Sequence, residues 1–172
     1  MERTVQKVLF SSASGDWSTP DEIFIPLHAE FRFDLDACAT RENYKVPRYF
    51  SIDGSGIAQD ALAQDWANYG KSIWCNPPYG RGIINWIRKA YEASQNGATV
   101  VCLLPARTDT QWFWSFILDK AEIRLIKGRL RFGNAENVAP FPSMICIFRP
   151  TGENKNDNNS TQPRITSSPS RD

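Results

Sequence analysis

The sequence predicts a single α/β domain, doubly wound, with a mainly parallel sheet and helices on both faces. Short apolar runs at residues 71–75, 98–104, 122–126 and 143–148 alternate with longer stretches of helical periodicity, the pattern of strands joined through crossover helices. The run at 98–104 is apolar and β-branched, as a central strand covered on both faces requires. With 172 residues, 41% of them apolar, and six tryptophans, the chain suffices for one compact core.

The elements follow in order. Residues 1–15 read as a flexible arm, and 16–150 as the folded domain. Asp16 or Ser18 caps a helix that begins near Pro20 and buries Ile23, Phe24 and Leu27. Phe31, Phe33 and Leu35 alternate with Arg32, Asp34 and Asp36, a strand pattern. Residues 39–58 are irregular, and 71–75 form a buried strand. Residues 82–95 form a helix with Ile83, Trp86, Ile87, Ala90 and Tyr91 inward, closed at Asn96-Gly97. After the strand at 98–104, a helix over 110–120 carries Trp112, Phe113, Phe116 and Ile117. Two strands complete the sheet, and crossovers are expected to be right-handed. Residues 151–172, rich in Asn, Ser, Thr and Pro, read as a disordered tail.

Composition narrows the function. No apolar run resembles a signal peptide or membrane span, so a cytoplasmic protein without a membrane partner is expected. Cys38, Cys75, Cys102 and Cys146 lie in apolar stretches without a Cys-x-x-Cys pair, which reads as buried free thiols. A single histidine, His28, argues against a zinc site and leaves one base for any nucleophilic dyad. The net charge of +1 conceals an asymmetry: residues 1–78 carry a net −4 and residues 79–131 a net +5. A basic half suits a polyanion, and an acidic half suits a cationic or hydroxyl-rich ligand. Lys127, Arg129 and Arg131 alternate, and on an extended segment they share one face.

The strongest motif is Asn76-Pro77-Pro78-Tyr79, directly after an apolar strand. Two prolines end the ladder and hold the preceding residue extended. The Asn76 carboxamide and the Pro77 carbonyl are then fixed outward as two acceptors, with the Tyr79 ring beside them. That arrangement suits a planar group bearing two N–H donors, such as a nucleobase amine. The alternative is a rigid strand-ending turn with Tyr79 as a core aromatic.

Asn-Pro-Pro-Tyr after a strand resembles the catalytic motif of S-adenosylmethionine-dependent amino-methyltransferases. The wider order is similar to the phage-type DNA N-6-adenine methyltransferases, the Dam-like family. It comprises Trp17-Ser18-Thr19-Pro20, Asp34 to Ala39, Asp60-Ala61-Leu62 with Asp65-Trp66, and Asn76 to Tyr79. It continues through Leu104 to Arg107, Lys127 to Phe132 and Pro142-Ser143-Met144. The resemblance implies a Rossmann-like methyltransferase fold and S-adenosyl-L-methionine as cofactor. It implies double-stranded DNA as partner, a monomer or homodimer, and the cytoplasm of a bacterial host. Methyl transfer to adenine at a short palindrome such as GATC follows from it, with Asn76, Pro77, Pro78 and Tyr79 catalytic.

For the cofactor, it points to Trp17, Thr19, Pro20, Asp36, Ala37, Cys38, Asp60, Ala61 and Asn76, with Asp65 the rival of Asp60. The usual glycine-rich methyltransferase loop is replaced by Asp36-Ala37-Cys38-Ala39. An acidic residue there accepts from ribose hydroxyls or an ammonium, or else caps a helix. For DNA it points to Arg107, Lys127, Arg129, Arg131 and Phe132, with core packing the alternative for Phe132. An adenine in a duplex must rotate out to be reached, and an aromatic such as Tyr79 supplies a stacking surface. The rival functions are methylation of RNA adenine or protein glutamine, and a non-catalytic DNA-binding relative. No metal is expected.

Overall fold

The computed structural model describes residues 18–151. The expected arm, Trp17 and, apart from Thr151, the expected tail lie outside the described residues. Five strands, β1 (Leu35–Asp36), β2 (Ser72–Cys75), β3 (Thr99–Pro105), β4 (Glu122–Leu125) and β5 (Ser143–Phe148), form one sheet in the order β1-β2-β3-β5-β4. β1, β2 and β3 pair in parallel, whereas β5 is antiparallel to both β3 and β4. The sheet is therefore mixed, which corrects the mainly parallel expectation. Residues 126–142 join β4 to β5 without a helix, so the chain turns back and β5 enters between β3 and β4 from the opposite direction. β4 consequently runs the same way as β1, β2 and β3, and all four end at one edge.

Among the described residues helices are fewer than expected, with one long α-helix on each face of the sheet. α1 (Asp21–Phe31) places Phe24 and Leu27 against Phe33, Trp74, Val101 and Leu103. α2 (Ile83–Gln95) places Ile83, Ile87 and Ala90 against Ile73, Val100, Cys102 and Leu104. Successive β3 residues thus feed opposite cores, as the strand period of two demands. Each fully buried Ile, Leu or Phe contributes roughly 1.5–3 kcal/mol. α2 closes as its sequence predicts: Gly97 adopts φ +94, and Ala98 N–H reaches the Ala93 carbonyl at 3.1 Å, a left-handed cap that glycine adopts without strain.

Three elements depart from the sequence reading. α1 continues through Phe31, where a strand was expected, and ends at Arg32 in the left-handed region (φ 54), with its N–H on His28 O. Phe31 stacks on Phe33 and lies under the guanidiniums of Arg124 and Arg149, so tertiary contacts override the alternation and only Leu35–Asp36 is strand. α1 also begins at Asp21 with Pro20, not Ser18, in the cap position and no side-chain cap bond, while Asp16 lies outside the described residues. The helix expected over 110–120 is present but shorter, running over 111–117, with Gln111 and Trp112 α-helical and Phe113–Ile117 π-helical. Phe113 and Ile117 are buried while Trp114 is exposed with its indole N–H on Thr108 O at 2.9 Å.

The four cysteines are free, and Cys75, Cys102 and Cys146 form one buried row across β2, β3 and β5. Among the described residues, no helix is long and apolar enough to cross a membrane.

Candidate active site

The ends of β1 and β2 open into a cavity of about 370 Å³, within the range of small-molecule sites. Its lining includes Thr19, Asp36, Cys38, Asp60, Ala61, Asn76, Pro77, Pro78, Tyr79 and Phe132. Residues 57 positions apart meet here: Asn76 Nδ2 donates to Thr19 Oγ1 at 3.2 Å. Thr19 is itself buried. Tyr79 Oη lies 3.2 Å from both Asn76 Oδ1 and the Leu103 carbonyl. Among the described residues, nothing donates to the Pro77 carbonyl. The Tyr79 ring meets Phe141 and Phe132 edge to face, with centroids 5.3 and 6.3 Å away. Burial, reinforced by the thiols of Cys75, Cys102 and Cys38, lifts the Tyr79 phenol far above its usual range. It therefore stays neutral, with its proton available for a hydrogen bond.

Asp36 ends β1 and is 2% exposed. Its carboxyl accepts from Cys38 N–H at 3.2 Å and Lys45 N–H at 3.0 Å, so it braces a loop and caps no helix. Burial raises its pKa to about 7 against the opposing pull of those N–H groups and the Lys45 charge. A folded pKa above the unfolded 3.8 means that the native state binds the extra proton. This contribution is present below about pH 4 and is lost as pH rises through about 7. Denaturant titrations should therefore show wild type losing on the order of a few kcal/mol between pH 4 and 8 relative to Asp36→Asn. Parallel stability curves for the two proteins would contradict this reading of Asp36.

Asp60 caps the 3-10 turn Ala61–Ala63, accepting from Leu62 N–H at 3.0 Å and Ala63 N–H at 3.3 Å. Asp65 caps a second turn, Trp66–Asn68, and does not line the cavity, so the geometry brings Asp60 and not its rival to the site. Two other expected cofactor residues, Ala37 and Pro20, are not brought together with it. Ala37 is fully buried with its N–H on Trp74 O, because the chain there still runs as sheet. Pro20 starts α1 outside the cavity wall, and Trp17 lies outside the described residues. Phe132 is 3% exposed and packs in the α1-side core, as one of its two readings expects, while its edge also lines the cavity.

The basic residues lie outside the cavity. Arg107 is exposed just beyond β3, and Lys127, Arg129 and Arg131 are exposed beyond β4. Leu130 and Phe132 point inward between them, as alternation requires. Arg131 donates to the carbonyls of Ala135 and Glu136, and Arg129 to Ala139 O at 3.5 Å, so both guanidiniums also brace their own loop.

Several lining residues escaped the sequence reading: Asn43, Lys45, Phe50, Ile52 and Trp86. Ile52 is 89% exposed on a turn where Asp53 accepts from the hydroxyls of Ser51 and Ser55 and from Ser55 N–H. The Ser-x-Asp-Gly-Ser pattern at 51–55, with Gly54 at φ +76, is the signal that marks this tight turn.

At the carboxyl end of β2 the Asn-Pro-Pro-Tyr turn thus shares one cavity with two carboxylates, Asp36 and Asp60. The family model for DNA N-6-adenine-methyltransferase (Dam) matches residues 8–166, and the chain belongs to that family. It is similar to a DNA N-6-adenine-methyltransferase of Escherichia phage T1, with 33% identity over 115 residues, covering 66% of this chain and 45% of that protein. It is also similar to the DNA N-6-adenine-methyltransferase of Haemophilus phage HP1, with 31% identity over 142 residues, 78% of each chain. The chain thus spans less than half the length of the first relative and over three quarters of the second.

Proposed function

We propose that the protein transfers the methyl group of S-adenosylmethionine to the exocyclic amine of adenine in double-stranded DNA, at a short palindromic site such as GATC. The observation that carries this reading is that the Asn76–Tyr79 turn and the carboxylates of Asp36 and Asp60 open into one cavity. The residues present suit this cofactor. Asp36 and Asp60 offer acceptors for an ammonium and for hydroxyl or amine donors, and Phe50, Ala61, Leu62 and Trp86 supply apolar walls. When bound, the cofactor supplies an electrophilic methyl group on a sulfonium. A cationic group near Asp36 would draw its carboxyl back toward the ionised form.

The chain's own work is positioning and electrostatics. Adenine's amino lone pair is delocalised into the ring. Asn76 Oδ1 and the Pro77 carbonyl accept its two N–H groups, favour tetrahedral geometry at the nitrogen and stabilise the positive charge that develops there. Tyr79, kept neutral, offers the ring surface against which an extruded base stacks, with Phe132 opposite. Arg107 beyond β3 and Lys127, Arg129 and Arg131 beyond β4 follow strands that end at the same edge as β2. Cations at that edge meet phosphates flanking an adenine delivered to Asn76.

The test is incubation with radiolabelled S-adenosylmethionine and separate duplex DNA, RNA and protein acceptors, followed by digestion to nucleosides and amino acids. Label recovered as N6-methyl-2′-deoxyadenosine from DNA supports the reading. Label confined to RNA or to glutamine would transfer the reaction to another acceptor, and none at all would indicate a binding protein.

A further inference from the structure

We infer that Lys45 receives the carboxylate of the cofactor's amino-acid end, so that the cavity selects a zwitterion, an inference that rests on the cofactor reading above. That end of the cofactor carries an ammonium and a carboxylate on one carbon. A site offering acidic groups alone would satisfy the first and repel the second. Lys45 is the one basic residue among the described residues that line the cavity.

The fold ties Lys45 to the acidic side of the site. Its backbone N–H donates to Asp36 Oδ2 at 3.0 Å, which fixes the two residues within one braced loop. A carboxylate oxygen has more than one lone pair, so Asp36 keeps capacity for an ammonium while it holds that loop. A cation and an anion presented from one loop suit the two charges of an α-amino acid.

The Lys45 ammonium is also poorly compensated as it stands. Its side chain is only 15% exposed, and it bonds to Asp21 Oδ1 at 2.7 Å and lies 5.8 Å from the centre of the Phe24 ring. The Asp21 side chain is 73% exposed, so water already solvates that carboxylate and the pair contributes little. An ammonium has three donors, and Asp21 takes one of them. Lys45 can therefore accept a ligand carboxylate without leaving Asp21. The ion pair joins the loop after β1 to the first turn of α1, two residues from the cavity-lining Thr19, and so holds the cation at the wall.

Calorimetry with S-adenosylhomocysteine and its decarboxylated form separates this role from that of a simple link between loop and helix. The ligands differ only in the carboxylate, and without nucleic acid present the result does not depend on the acceptor. Wild type should bind the carboxylated ligand about tenfold or more tightly, the scale of one charge-assisted hydrogen bond in a sheltered site. Lys45→Met should remove that preference by weakening S-adenosylhomocysteine alone. Lys45→Arg, which keeps a cation, should retain most of the preference, and so should Asp21→Asn, which removes only the link. A wild type without the preference would overturn the inference, and that measurement needs no variant. So would a Lys45→Met that weakens both ligands alike. If wild type binds neither ligand, the cofactor reading fails and this inference with it. If it binds both equally, the inference alone fails.

Discussion

Asn76→Ala is expected to lower single-turnover methyl transfer by about 10²–10³-fold, the scale for removing one preorganised hydrogen-bonding group from a reacting centre. The Asn76 amide bonds to Thr19 and Tyr79 at the cavity wall. The substitution leaves the buried Thr19 hydroxyl without this partner, a cost of about 1 kcal/mol, which a domain of this size tolerates. Cofactor affinity, measured by calorimetry, should change by no more than a few-fold, since Asp36 and Asp60 remain. A variant that transfers methyl groups near the wild-type rate would remove Asn76 from the chemistry.

Trp66→Ala is expected to cost about 3–5 kcal/mol of folding stability, a large share of the roughly 5–15 kcal/mol available to a domain. Trp66 is fully buried, and its indole N–H donates to the Ala61 carbonyl at 2.7 Å. It also lies against Trp86, at a centroid distance of 6.2 Å. It therefore ties the two short turns together and supports the wall carrying Asp60, Ala61 and Leu62. Trp66→Phe keeps most of the apolar bulk but removes one hydrogen bond from the Ala61 carbonyl, which retains Gln64 N–H at 3.2 Å, and should cost about 1 kcal/mol. Urea denaturation of the three proteins measures both values. A cost below about 1 kcal/mol for Trp66→Ala would mean that this wall does not depend on the indole.

Much of the site was legible because its signals are local. Asn76-Pro77-Pro78 follows its strand as the two prolines dictate, and Asn96-Gly97 ends α2 where helix-cap chemistry requires. The buried strand at β3 could be read from its unbroken apolar run, which two cores, one on each face, demand. The errors arose where distant contacts decide. Phe31 is drawn into α1 by Phe33 and the two arginines, and no alternation rule sees those partners. β5 reads equally well in either direction, because strand patterning carries no polarity. Only the helix-free return over 126–142 fixes it as antiparallel. Asp60 and Asp65 are indistinguishable as sequence, each a helix-turn cap, and only the cavity separates them. Lys45 and Ile52 carry no motif of their own. They reach the cavity because Asp36 holds the Lys45 backbone and Asp53 organises the turn bearing Ile52.

The central claim is tested most directly by a crystal structure of the protein with duplex DNA and a non-reactive analogue of the methyl donor. The account predicts one adenine rotated out of the helix, with its N6 about 2.7–3.2 Å from both Asn76 Oδ1 and the Pro77 carbonyl and its ring against Tyr79. An adenine left in the duplex, or one seated with N6 away from both oxygens, would contradict it.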